Sequence, residues 1–175
     1  MNVPKDFLLK KQTELTIPQL FTTKRNIKEI ILHCSATADG NDLKAATVDK
    51  WHRAKGWNGI GYQFFIDLDG TIEVGRDINK AGAHATGHNT NSIGICYAGG
   101  VAKDGRTPKD TRTPEQKIAL YKLVHDLLLL YPKAEVHCHY EYAAKACPSF
   151  KLESFKSEYR LWLETLKLNH KCNLK

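Results

Sequence analysis

The stretch "IKEIILHCSAT", Ile27–Thr37, decides the fold. Four apolar residues in a near-continuous run, rich in isoleucine, predict a strand buried on both faces. The polar "SAT" ends it. A strand of this kind belongs inside a sheet covered by helices, and its C-terminal end is where open sheets tend to carry their sites. His33 stands at that end.

The rest of the chain supplies the partners of such a strand. "GYQFFIDLDGTIEVGR", Gly61–Arg76, predicts a hairpin turning at Asp69-Gly70, with Tyr62, Phe64 and Ile66 alternating against Gln63, Phe65 and Asp67. "IGICYAGG", Ile93–Gly100, predicts a second buried strand, and "AEVHCH", Ala134–His139, a short third. "TPEQKIALYKLVHDLLLLYP", Thr113–Pro132, is the clearest helix: Thr113 caps it, Pro114 takes the first turn, Gln116 completes a capping box and Pro132 stops it. "TVDKWHRAKGW" predicts a shorter helix capped by Thr47 and stopped by Gly56, with Trp51 packed in the core. In "FKLESFKSEYRLWLETLKL" Phe155, Tyr159, Trp162 and Leu166 fall at helical spacing. The expected fold class is therefore α/β, a single domain with a central mixed sheet flanked by α-helices. Residues 1–26 read as an N-terminal arm or cap, 27–170 as the domain and 171–175 as a polar tail.

With 175 residues the chain suits one domain with a real core. The net charge of +7 is spread over the chain and accompanies no groove-reading motif, so no nucleic-acid partner is expected. No segment is long and apolar enough to cross a bilayer. The first twenty residues interleave lysines and acids with short apolar pairs, which sets the expectation of no secretion signal and of synthesis in the cytoplasm. The five cysteines, an odd number without a C-x-x-C pair, predict free thiols, most of them small buried apolar residues. A monomer is expected, since the amphipathic helices can bury their faces within the domain.

One block invites chemistry: "HCHYEYAAKACPSF", His137–Phe150. On a continuing strand His137 and His139 would share a face, with Cys138 on the other. Cys147 follows after a segment short enough to fold back, and Pro148 helps fix the turn. With His33 as donor from the buried strand, two imidazoles and a thiolate make a three-ligand set. That leaves a fourth position open, as in catalytic zinc sites. Spacing does not choose between His137 and His139. Glu141 reads either as a group that orients a ligand or as an exposed carboxylate. His52, His88, His125 and His170 are assigned to the surface.

Taken together, "ILHCSAT", "DKWHRAKGWNGIGYQFFIDLDGTIEVGRD", "GAHATGHNTNSIGICYAGG" and "HYEYAAKACPSF" resemble the type-2 N-acetylmuramoyl-L-alanine amidases, the group that includes phage amidase-type lysozymes and peptidoglycan recognition proteins. The likeness runs in order from about Ile27 to Phe150. It implies cleavage of the amide between N-acetylmuramic acid and L-alanine in peptidoglycan, with one catalytic zinc ion (Zn2+). The implied metal set is His33, His139 and Cys147, which leaves His137 outside. Tyr62 and Lys145 map to the catalytic positions. The loop around His84, Asn89 and Asn91 resembles the substrate-facing rim. Some relatives carry a histidine where this chain has Gln63. Synthesis without a secretion signal fits a phage or prophage endolysin, released to the wall or exported. The alternative is a peptidoglycan-binding module that does not cut.

Overall fold

A computed structural model describes residues 21–172, with side chains through residue 168. Most of the predicted arm, the side chains of His170 and Cys172, and the last residues of the tail lie outside the described residues.

Five strands form the main sheet in the order β4-β3-β5-β1-β7. They are β1 (Glu29–Cys34), β3 (Phe64–Ile66), β4 (Ile72–Val74), β5 (Ser92–Tyr97) and β7 (Glu135–Cys138). β1 runs parallel to β5 and β7, and β3 parallel to β5; only β4 is antiparallel. The sheet is thus mixed, as expected. Two short strands, β2 (Thr37–Ala38) and β6 (Gly100–Val101), pair parallel beyond the ends of β1 and β5. They are too short to carry a sequence signal.

The two faces of the sheet differ. Ile30, Leu32, Phe64, Ile66, Ile93, Ile95 and Tyr97 form one core with α2 (Pro114–Leu130) and α3 (Leu152–Cys172). From α2, Leu120, Leu123, Val124 and Leu127 enter it, each contributing about 1.5–3 kcal/mol by burial. Phe65 and Cys96 point the other way, into a smaller core with Ala45 and Val48 of α1 (Ala45–Ala54). β3 is consequently buried on both faces, and the alternation read from its sequence does not separate an inner from an outer face: Gln63, Phe64, Phe65 and Ile66 are all buried.

The capping box of α2 is present: Gln116 N–H donates to Thr113 Oγ1 at 3.0 Å and Thr113 N–H to Gln116 Oε1 at 3.0 Å. The buried Gln116 amide also donates to the carbonyls of Ile66 and Ala98, at 3.2 and 3.0 Å, locking the helix to β3 and β5. α1 differs from expectation. It begins at Ala45, not after Thr47, because Glu73 of β4 accepts the Ala45 N–H at 2.7 Å and caps the helix from outside. Its buried residues are Ala45, Val48 and His52, so Trp51 falls beside the buried stripe and is exposed, contrary to its core assignment.

The described end of the arm packs on the body. Phe21 meets Phe64 edge-on at 4.7 Å, and Arg25 donates to the carbonyls of Ile78, Asn89, Thr90 and Ser92. No helix among the described residues is long and apolar enough to cross a membrane.

Candidate metal centre

β1 delivers His33 one residue before its end, on the face away from α2 and α3, where it is buried. β7 stops at Cys138. Glu141 Oε1 accepts the Cys138 N–H at 2.6 Å, and the chain turns into a single 3-10 turn, His139–Glu141. His139 is therefore aimed by this turn and not by strand alternation, a correction to the shared-face reading. His137 stays on the strand, where its Nδ1 faces Glu141 Oε2 at 3.0 Å. Glu141 thus ties the turn and His137 together.

Cys147 is held by three contacts around it. Tyr140 N–H donates to the Cys147 carbonyl at 2.8 Å, Tyr97 O–H donates to the Pro148 carbonyl at 2.8 Å, and the Cys34 N–H donates to Cys147 Sγ at 3.2 Å. The Cys147–Pro148 peptide bond is cis. Tyr140 O–H also accepts the Leu152 N–H at 3.0 Å, linking the same turn to the start of α3.

These pieces converge. One donor atom each from His33, His139 and Cys147 lie within 4.8 Å of one another. His33 Nδ1 stands 3.8 Å from Cys147 Sγ, and the rings of His33 and His139 are 4.5 Å apart. A tetrahedral zinc holds nitrogen and sulfur donors about 3.3–3.6 Å apart, so the His33–Cys147 pair already stands near that spacing. Donor type fits as well. Burial, and behind it the charges of His84, His139 and Lys145, holds His33 well below its ordinary pKa, while burial and Lys145 lower His139. Both are neutral imidazoles at pH 7, as ligation requires. The side-chain hydrogen bond with the Cys34 thiol, and burial after it, push the Cys147 thiol above its ordinary range. A bound cation would favour its ionisation, and the Cys34 N–H acts in the same direction.

Tyr62, just before β3, places its ring 5.1 Å from that of His33. Burial, with the nearby cysteines behind it, raises its pKa well above the ordinary value, so the phenol keeps its proton and remains a donor. Lys145 is exposed on the loop before Cys147, and its charge acts on both imidazoles.

In the loop expected to form the rim, Asn89 and Asn91 are half-buried. His84 is buried, its Nδ1 3.0 Å from His33 Nε2. Asn89 Oδ1 accepts the N–H groups of His84 and Ala85, at 2.8 and 3.0 Å, which shapes the loop from within. The Asn91 carbonyl accepts the Lys28 and Glu29 N–H groups at the start of β1. Gln63 Oε1 accepts the Gly94 N–H at 2.8 Å and is spent on β5. His52, assigned to the surface, is buried; its Nδ1 accepts the Gly61 N–H at 3.0 Å, and Trp57 covers its ring at 4.6 Å. A histidine four residues before a helix-stopping glycine gave no warning of this, since the contact reaches from α1 to the hairpin.

Fold and centre together define an α/β protein that presents two imidazoles and a thiol at the ends of parallel strands, an arrangement suited to a hydrolytic metal. The sequence model described as N-acetylmuramoyl-L-alanine amidase matches residues 23–150, and the chain belongs to that family. The endolysin of Enterobacteria phage K11 is 41% identical over 133 residues, covering 76% of this chain and 87% of its own. The solved N-acetylmuramoyl-L-alanine amidase LysC from Clostridium intestinale URNW superposes with a TM-score of 0.66 at 30% identity, over 78% of this chain and 87% of its own. Drosophila peptidoglycan-recognition protein LB superposes with a TM-score of 0.59 at 25% identity, over 72% and 76%.

Proposed function

We propose that His33, His139 and Cys147 hold one zinc ion, and that Tyr62 and Lys145 act beside it on the muramyl amide. The chain is a peptidoglycan amidase of the endolysin kind, cleaving between N-acetylmuramic acid and L-alanine. The observation that carries the zinc reading is the meeting of the three donor atoms within 4.8 Å. When bound, the ion supplies Lewis acidity toward the scissile carbonyl and brings a water's pKa toward 7.

The protein's own residues do the rest. His33 and His139 offer neutral nitrogen lone pairs, and Cys147 a sulfur whose ionisation is supported by the Cys34 N–H. Lys145 brings a positive charge on an exposed loop, able to meet the carbonyl oxygen as negative charge develops there. Tyr62, protonated and packed against His33, supplies a second donor to the same oxygen. Lys145 is exposed and His139 only half-buried, which suits a polymeric substrate that must approach from outside. The enzyme reaches the wall after release or export.

Purified sacculi test this. Cleavage should expose the amine of L-alanine without new reducing ends, stop on treatment with a chelator and return with zinc. A wall-binding module would bind sacculi and release no amine, and that result would sink the proposal.

A further inference from the structure

His33 reaches the centre through Nδ1, and the question is what keeps that nitrogen free of a proton. The answer lies in a chain of hydrogen bonds running away from it. The carbonyl of His88 can only accept, so Ser92 Oγ, 2.8 Å away, donates its proton there. Ser92 Oγ then has only lone pairs left to offer His84 Nε2 at 3.4 Å, and that nitrogen carries a proton. In a neutral His84 the other nitrogen, Nδ1, is a lone pair. It faces His33 Nε2 at 3.0 Å, so His33 carries its proton on Nε2. What remains on His33 is an unprotonated Nδ1, turned toward Cys147 Sγ.

The surroundings of His84 are shaped to hold it. Its ring lies on Gly94 of β5, where a Cβ would come within 2.5 Å of ring carbon Cδ2, and a Cβ at Gly82 would also collide with the ring. Its backbone N–H is fixed by Asn89 Oδ1. Ser92 and His84 are both buried, so water does not compete for either link.

We infer that His84 is a positioning residue: through the relay His88 carbonyl–Ser92–His84 it sets the tautomer and orientation of His33, and so the strength with which the centre takes a metal. This assigns His84 to the metal side of the site, not to substrate. The inference rests on the zinc reading above, and the tests separate the two.

Long-range proton–nitrogen NMR on the metal-free, 15N-labelled protein at pH 7 reads the tautomers directly. Both His33 and His84 should appear protonated at Nε2; a Nδ1-protonated form of either overturns the relay. Zinc affinity, measured by competition with a chromophoric chelator, gives the second readout. His84→Phe should weaken zinc by about 10–100-fold, the usual effect of losing a group that orients a ligand. His84→Asn can place its Oδ1 near the position of Nδ1 and should restore affinity to within about threefold of wild type. Equal affinity of His84→Phe and wild type, or an Asn variant as weak as the Phe variant, refutes the inference. If His84→Phe does not fold, Ser92→Ala replaces it: losing the acceptor should shift part of His84 to the Nδ1 form, and an unchanged His84 spectrum counts against the relay. A wild-type protein that takes no zinc but shows both Nε2 tautomers would sink the metal reading and leave the relay standing.

Discussion

The backbone N–H of Cys34 donates to the sulfur of Cys147 at 3.2 Å, joining residues 113 positions apart. The end of β1 thus serves the centre twice, with the imidazole of His33 and with an amide that favours negative charge on sulfur. Cys147→Ser keeps an acceptor for that amide but replaces a soft thiolate with a hydroxyl. Zinc affinity should fall by at least about 100-fold, and amine release from sacculi with it. Cys34→Ala leaves the amide in place and should hold zinc within about threefold of wild type. Chelator competition measures both.

On the proposed roles, Tyr62→Phe and Lys145→Ala would each remove one donor to the oxyanion. Turnover should drop on the order of 10²–10³-fold while bound zinc stays stoichiometric. Near-full activity of either variant on sacculi would exclude that residue from the chemistry.

His137 and His139 are two residues apart and separate cleanly. His137 faces Glu141 at 3.0 Å, outside the donor cluster, whereas His139 belongs to it. His139→Ala should abolish activity and tight zinc binding. His137→Ala should keep both; a parallel loss in the two variants would contradict the assignment.

Metal-free stability should depend on pH. Burial lowers His84 from 6.5 to about 3 and holds His33 well below 6.5. Between these values the unfolded chain binds more protons than the folded one, so acid favours unfolding. Stability is full above pH 6.5 and should fall as pH drops below it, by about 1.4 kcal/mol per pH unit for each histidine. Urea melts at pH 7.5 and 5.0 in chelator read the loss. His84→Asn should flatten the slope, and equal slopes would refute the assignment to His84.

Gln116 secures the seam between α2 and the sheet. Gln116→Ala strands the Ala98 carbonyl and the Thr113 N–H, leaves the Ile66 carbonyl with the Ala98 N–H alone, and should cost about 2–4 kcal/mol in urea melts without altering zinc affinity.

Much of the fold is legible along the chain because its signals are local. The apolar run of β1, the capping box at Thr113 and Gln116, and the spacing of Phe155, Tyr159 and Trp162 each act within a few residues. What escapes local reading comes from elsewhere in the fold. α1 takes its cap from Glu73 in β4, so no nearby residue announces its start. The strand alternation that seemed to pair His137 with His139 ends because Glu141 draws the Cys138 N–H into a turn. The donor set was readable only through resemblance, since the spacing of histidines and cysteines alone leaves the choice open. His84 was seen as a site residue, but its neighbours Ser92 and His33 come from two different strands, and that contact has no trace in any one segment.

His33 and Cys147 stand 114 positions apart and meet only when β1 has received both β5 and β7 as neighbours. While the ribosome is still at work, the growing chain carries every early piece of the cutting apparatus and none of its power. On the proposed zinc reading, a truncated product that ends before Cys147 lacks one of the three donors and should release no amine from sacculi.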